Sequence, residues 1–200
     1  MAGCGIKGDN QLRVYHGTDD FSAGLILKYI DLNKCNKYTD NAKGFYVTTN
    51  LEFALNRAQG VCRKLNIASD NDSKSLPVVV SFDFDEESAS KEFNCKKFLS
   101  PDKEWKYFVF INRLGMKGYK KYESLFENND NNLDFKYDIV FDPTADAGIA
   151  SIVDTYRYSG SKKTKQKLEQ DIDSIDIGKK GIWDNQISFH SNEALTYYKC

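Results

Sequence analysis

A chain of 200 residues with 40% apolar and 28% charged side chains has room for one domain with a proper core and would be cramped as two. We therefore expect a single domain over residues 1–200, with disorder confined to short loops. The formal charge of -1 supplies no overall basic field for a phosphate backbone, so nucleic acid is unsupported as a partner.

The first residues, Met1 to Lys7, lack an apolar core, and no later stretch approaches a membrane span, so neither a signal peptide nor an anchor is expected. Leu12 to His16 alternates as a strand does and is stopped by Gly17 and the Asp19-Asp20 pair, with a helix predicted over Ser22 to Ile30. Asn33 to Lys43 reads as a polar loop into a short strand, Phe45 to Thr49. Asn50 is a helix cap, and Leu51, Ala54, Leu55, Ala58, Val61, Cys62 and Leu65 fall at helical spacing, which predicts an amphipathic helix to Ile67.

After the polar loop Ser69 to Ser75, Pro77 opens the most strand-like run, Val78 to Asp85. Pro101 and Asp102 start a helix that reaches Leu114, and Glu127 to Asn132 reads as an exposed connection. Tyr137 to Phe141 is a strand closed by Asp142-Pro143, Gly148 to Tyr158 a weaker helical stretch, and Lys162 to Ile172 a charged helix with a solvated face. The chain ends with a strand, Gln186 to Phe189, and a helix, Glu193 to Lys199. Irregular alternation with β-rich pieces at both ends points to an α+β fold.

Five scattered cysteines, Cys4, Cys35, Cys62, Cys95 and Cys200, never spaced as CxxC, fit reduced thiols in a cytoplasm better than a disulfide framework or a zinc knuckle. With only His16 and His190, most multi-histidine metal sites are ruled out, and no metal is expected. No GxGxxG or P-loop pattern holds phosphates. Taken singly, His190 beside Ser191 reads as a capping or surface histidine, Tyr46 as a half-buried strand tyrosine, Gln186 as a polar strand end, and Thr48 and Thr49 as residues chosen for β-propensity. Taken together, a neutral His16 can donate to a ribose hydroxyl, the Gly17 backbone can present both N–H and C=O to a carboxamide, and the Tyr46 ring can stack on a flat heterocycle. That set describes a nicotinamide riboside pocket.

Tyr15-His16-Gly17-Thr18, then Gly44-Phe45-Tyr46-Val47-Thr48-Thr49, then Asn185-Gln186-Ile187-Ser188-Phe189 resemble the three motifs of the histidine-tyrosine class of ADP-ribosyltransferases, which includes diphtheria toxin and the poly-ADP-ribose polymerases. More closely, the chain is similar to a family of mostly uncharacterised bacterial proteins with His-Tyr-Gln motifs. Trp105 to Arg113, Asp138 to Asp146 and Gln186 to Leu195 look like that family too, and the resemblance spans about residues 12 to 199. It implies an ADP-ribosyltransferase-like split β-sheet core with flanking helices. It also implies that His16 bonds a ribose hydroxyl of NAD, that Gly17 clamps the nicotinamide carboxamide and that Tyr46 stacks on the nicotinamide ring. Thr18, Thr48 and Arg57 would complete the NAD-binding set, and His16, Tyr46 and Gln186 the catalytic one.

Two residues depart from the class. Gln186 stands where Glu is usual, so the position keeps hydrogen bonds and loses a negative charge; Glu193 is one nearby carboxylate, though it reads better as a solvent-facing helix residue than as a substitute. Arg57 stands where many members place an aromatic residue against the nicotinamide, and a guanidinium suits phosphate or solvent better. The activity implied is NAD-dependent mono-ADP-ribosylation: cleavage of the nicotinamide–ribose bond and transfer of one ADP-ribose to a macromolecular acceptor, protein favoured over nucleic acid. NAD glycohydrolase action and a catalytically weak NAD- or ADP-ribose-binding module are the alternatives. Such a protein would work in a cytoplasm or be delivered into a target cell as a toxin or effector, where a cognate antitoxin or inhibitor would be a further partner.

Overall fold

The computed structural model describes residues 11–68, 74–145, 147–158, 163–175 and 185–199. Cys4, Cys200, Asp146, the N-terminal segment and most of the loop from Ser69 lie outside the described residues. In chain order the elements are β1 (Leu12–Asp19), α1 (Asp20–Ile26), β2 (Phe45–Val47), α2 (Leu51–Ala68), β3 (Pro77–Phe84), α3 (Glu86–Glu92) and β4 (Cys95–Lys97). They continue with α4 (Lys103–Lys121), β5 (Ile139–Pro143), α5 (Ala147–Tyr158), α6 (Lys165–Asp173), β6 (Asn185–Phe189), α7 (Asn192–Leu195) and β7 (Tyr198–Lys199). Helices and two mainly antiparallel sheets make this an α+β protein. Its residues divide into two compact units, one of Met1–Ile30, Val47–Phe93 and Asn192–Cys200, the other of Asp31–Tyr46 and Asn94–Ser191.

The first unit is built on a three-stranded sheet in the order β1-β3-β7. β1 was expected to stop at Gly17 and instead runs to Asp19, because Val78 to Val80 of β3 supply ladder partners for Thr18, Gly17 and His16. The carboxylate of Asp19 then accepts from the Ser22 backbone N–H at 3.0 Å and caps α1 directly, so the predicted helix starts and ends earlier than Ser22 to Ile30. At the other end, the predicted helix over Glu193 to Lys199 stops at Leu195, and Tyr198 and Lys199 pair with Phe84 and Asp83 of β3 instead. α2 matches its prediction closely, with Asn50 Oδ1 accepting from the Phe53 N–H at 3.1 Å.

Its buried face is narrower than the apolar spacing suggested. Ala54, Ala58 and Cys62 are buried, whereas Leu51, Leu55 and Leu65 of the predicted stripe are exposed. Small residues face the sheet because the backbones lie very close there: a Cβ on Gly17 would stand 1.9 Å from the Ala54 carbonyl oxygen and 2.9 Å from the Ala58 nitrogen.

The second unit has a four-stranded sheet in the order β2-β6-β5-β4, with β5 and β6 antiparallel and β4 and β5 parallel. Over it lies α4, capped by Asp102 through the Trp105 N–H at 3.0 Å. Trp105, Phe108, Val109, Phe110, Ile111 and Leu114 are all buried, so this helix is the core of the unit, not a helix with one wet face. The predicted end at Leu114 marks a break at Gly115 (φ 77, ψ 166), after which the helix resumes to Lys121. The Phe110 and Tyr156 rings meet edge to face, with centroids 5.2 Å apart.

Burial overturns two expectations of exposure. α6 is the charged helix expected from Lys162, which itself lies outside the described residues, yet it is not simply solvated: Leu168 and Ile172 are fully buried in the cluster around α4. Asn132, at the end of the segment read as an exposed connection, is wholly buried: its backbone N–H donates to Asn112 Oδ1 at 2.7 Å and its Oδ1 accepts from the Tyr137 N–H at 2.8 Å. A buried amide that satisfies backbone groups on both sides holds an irregular segment as firmly as a strand would.

Two glycines separate packing from propensity. Gly17→Ala should cost about 3 kcal/mol or more, because the Cβ meets helix backbone that cannot yield. Gly60→Ala, in α2 with open space around the added Cβ, should gain roughly 0.5–1 kcal/mol. Urea unfolding of both variants beside the wild type measures each.

Candidate functional site

β6 has an apolar face, Ile187 and Phe189, and a polar one, Gln186 and Ser188, which His190 continues just past the strand. The ladder is extended there by the His190 N–H donating to the Asp138 carbonyl at 2.8 Å. On the neighbouring strand Asp142 is paired directly opposite Gln186, and Val140 opposite Ser188. All three polar side chains and Asp142 are buried, against the expectation of a capping or surface histidine and a polar strand end. Two of their partners, Asp40 and Asn41, come from a loop that the sequence presents only as polar, Thr39 to Ala42.

Asp40 and Asn41 of that loop enter the interior. The Arg113 Nε of α4 lies 2.5 Å from Asp40 Oδ1, and Asp40 Oδ2 accepts from the Ala145 N–H at 3.2 Å. Asn41, 0% exposed, donates through Nδ2 to Asp142 Oδ1 at 2.8 Å and to Ser188 Oγ at 2.9 Å. Gln186 completes the cluster, its Nε2 donating to Asp40 Oδ2 at 2.9 Å and to Asp142 Oδ2 at 3.2 Å, where the Trp105 Nε1–H also donates at 3.0 Å. Among the described residues Asn41 Oδ1 is buried with no hydrogen-bond partner.

Tyr46, on β2 next to β6, holds the same loop. Its hydroxyl accepts from the Asn41 backbone N–H at 2.9 Å and donates to the Ala42 carbonyl at 2.7 Å, with Thr39 Oγ1 at 2.9 Å. Ala42 has φ 66, so this latch stabilises a backbone conformation that an alanine disfavours. The Tyr46 ring stands edge-on to His190, with centroids 6.3 Å apart. Close packing at Gly44 sets this geometry, since a Cβ there would stand 2.7 Å from the His190 ring.

These groups have strongly shifted acidities. Burial, aided by the Asp40 charge, pushes the Tyr46 phenol well above its ordinary value and keeps it a donor. Burial and then the charge of Asp40 push Asp142 up to about 8, although the bonds from Trp105, Asn41 and Gln186 pull the other way. The donors that reach Asp142 are neutral, whereas Asp40 has Arg113. Burial pulls His190 down to about 4, only partly countered by Lys43 and Asp138. A carbonyl can only accept, so His190 Nδ1 carries the proton toward the Lys43 oxygen at 2.9 Å, and Nε2 accepts from Ser188 at 2.9 Å. A serine 0% exposed in such a chain is a connector and not a nucleophile.

The remaining residues singled out from sequence lie in the first unit. His16 is half-buried on β1, paired with Val80. Gly17 is required by the approach of α2, whatever else its backbone does. Thr18 is buried and donates to Asp19 Oδ2 at 3.4 Å. Thr48 is buried and bridged to Tyr15, and its Oγ1 accepts from the Asn50 N–H at 3.1 Å at the entry to α2. Arg57 and Glu193 are exposed. The structure thus joins Tyr46 and Gln186 in one network and surrounds Gln186 with carboxylates that sequence reasoning missed, Asp40 and Asp142. The period-two alternation of Gln186, Ser188 and His190 with Ile187 and Phe189 was the available signal.

Among the described residues no group of three or more His, Cys, Asp or Glu side chains could hold a metal ion, and Cys35, Cys62 and Cys95 are free thiols. No helix among them is long and apolar enough to cross a membrane.

The shifted pair sets a pH dependence with opposite signs. His190 lies below its unfolded value, so its contribution is lost as pH falls from about 6.5 to 4; Asp142 lies above its own, 3.8, so its contribution is lost as pH rises toward 8. The two slopes oppose each other from about pH 4 to 6.5, and from 6.5 to 8 Asp142 acts alone. Urea unfolding should show stability declining by up to about 2 kcal/mol across that upper window, with the decline absent in Asp142→Asn.

No curated protein and no solved structure matches the chain. One family does, described as a protein of unknown function (DUF3990), over residues 12–200. Strands β1 to β7 and the Asp40-Asp142-Gln186 cluster all fall inside that match, and the chain belongs to the DUF3990 family.

Proposed function

We propose that this protein is an NAD-dependent mono-ADP-ribosyltransferase with an ADP-ribosyltransferase-like split-sheet core, which cleaves the nicotinamide–ribose bond and transfers one ADP-ribose to a macromolecular acceptor, protein in preference to nucleic acid. The reading rests on the resemblance of the His16, Tyr46 and Gln186 segments to the histidine-tyrosine class. The observation that supports it best is the amide of Gln186 held between two buried carboxylates.

Breaking the bond between nicotinamide and ribose builds positive charge on the ribose, much as glycoside hydrolysis does on its sugar. A glutamine supplies no charge to meet it. Asp40 and Asp142 each lie one hydrogen bond from the Gln186 amide, in an interior where charges are weakly screened. Arg113 matches Asp40, so the site's net negative charge rests on Asp142, whose ionisation lies within reach of neutral pH. In this reading His16 and the Gly17 backbone hold ribose and carboxamide, and the Tyr46 ring packs on the nicotinamide. Thr48 and Thr18 support their strands, and Arg57 is free to meet phosphate or solvent.

The test is nicotinamide release from NAD by the full chain, alone and with cell extract as a source of acceptors. Release that rises with extract, appears as label on a macromolecule and falls at least a hundredfold in His16→Ala at unchanged thermal unfolding is expected. Equal release with and without extract would make the protein a glycohydrolase, and binding of NAD without release would reduce it to a binding module.

A further inference from the structure

An amide side chain ordinarily offers a ligand either end, since rotation about its last bond exchanges donor and acceptor at little cost. Gln186 has no such choice. One nitrogen atom faces Asp40 Oδ2 at 2.9 Å and Asp142 Oδ2 at 3.2 Å, and the Asp40 carboxylate, paired with Arg113, can only accept. The flipped amide would set its own oxygen against that carboxylate and beside the Asp142 oxygen that already accepts from Trp105. Neither acid is free to turn away: Asp40 is anchored by Arg113 Nε and the Ala145 N–H, Asp142 by Asn41 Nδ2 and Trp105 Nε1. Asp142 also sits directly across the ladder from Gln186, so backbone pairing fixes their separation.

We propose that Asp40 and Asp142 are positioning residues that lock Gln186 as an acceptor-only group, so that its carbonyl oxygen, polarised by the N–H bonds to the two acids, takes the place of a carboxylate oxygen toward a ligand hydroxyl. This rests on the transferase reading and deepens it. With both hydrogens drawn to carboxylates, amide resonance moves electron density to Oε1, which strengthens it as an acceptor. Such a group selects a hydroxyl donor and rejects an acceptor. It also explains glutamine itself: a carboxyl side chain at this position would be a third acid against two that are already buried, and like charges at that distance cannot all ionise. Restoring the acid usual in the class would therefore weaken this protein.

The groups that bear on Asp142 are Asp40 and Tyr46 from the loop and β2, Arg113 from α4 through Asp40, and His190 from the end of β6 through Ser188 and Asn41. The experiment compares wild type, Gln186→Glu, Asp142→Asn, the double variant and the neutral Gln186→Met, all as full chains. Urea midpoints from pH 5 to 9 are read beside nicotinamide release from NAD. At pH 5 the introduced carboxyl group of Gln186→Glu is protonated and leaves the chain folded. As pH rises to 8 the Gln186→Glu midpoint should fall progressively below that of wild type, with release down at least tenfold. The double variant, which returns the acid count to that of wild type, should recover the midpoint and part of the release. Gln186→Met, which adds no acid, should lower the midpoint already at pH 5 and show no progressive further loss against wild type between pH 5 and 8.

A Gln186→Glu variant as stable as wild type at pH 8, or faster at releasing nicotinamide, would overturn the proposal. So would a double variant no more stable than Gln186→Glu. If the stability pattern appears as expected but no protein, wild type included, releases nicotinamide, the locked amide stands and the transferase reading fails.

Discussion

Two carboxylates buried within one hydrogen bond of the same amide are the constraint on which the second unit depends. A buried carboxylate without partners is intolerable, and here the one cation, Arg113, pairs with Asp40 and leaves Asp142 with neutral donors alone. The deficit is made up by N–H donors from four parts of the chain: Asn41 from the loop, Trp105 from α4, Ala145 after β5 and Gln186 from β6. Each donor fixes an element. The central helix, the β5–β6 ladder and the 39–42 loop are therefore tied at one polar point inside an otherwise aromatic core.

The latch by Tyr46 belongs to the same arrangement. Its hydroxyl satisfies the backbone of Asn41 and Ala42, which holds the loop in a strained turn and so delivers Asp40 and Asn41 to the interior. The tyrosine expected to stack on a ligand is thus also a structural residue, and removing its ring would disturb the carboxylates as well as any ring contact. Gly17 carries the same double meaning in the first unit, where the backbone of α2 leaves no room for a side chain. Mutations at either position report on folding before they report on chemistry, which is why His16, half-buried on β1, is the better probe.

Much of this was legible in the sequence. The helix from Leu51, the strand after Pro77 and the helix capped by Asp102 were set by local signals: a cap, a proline, a regular apolar spacing. What failed was burial. Leu51, Leu55 and Leu65 were placed inside because spacing says which residues share a face and not how close the backbones come; the sheet accepts only Ala54, Ala58 and Cys62. Asn132, Asp40 and Asn41 were placed outside because polar residues usually are, and only long-range partners reveal otherwise. The carboxylates around Gln186 come from positions 40 and 142, far apart in the chain, with no local pattern linking them. The polar stripe of β6, by contrast, was readable at period two and marked a strand whose inner face is not simply apolar.

The central claim is that the ionisation of Asp142, transmitted through Gln186, supplies the negative charge for cleaving NAD. The pH profile of nicotinamide release by the wild-type chain, from pH 5 to 9 under saturating NAD, tests it most directly. The account predicts release that climbs through neutrality with its midpoint near pH 8, where Asp142 is half ionised, and flattens toward pH 9. Release that is flat across that range, or that falls as pH rises, would contradict it.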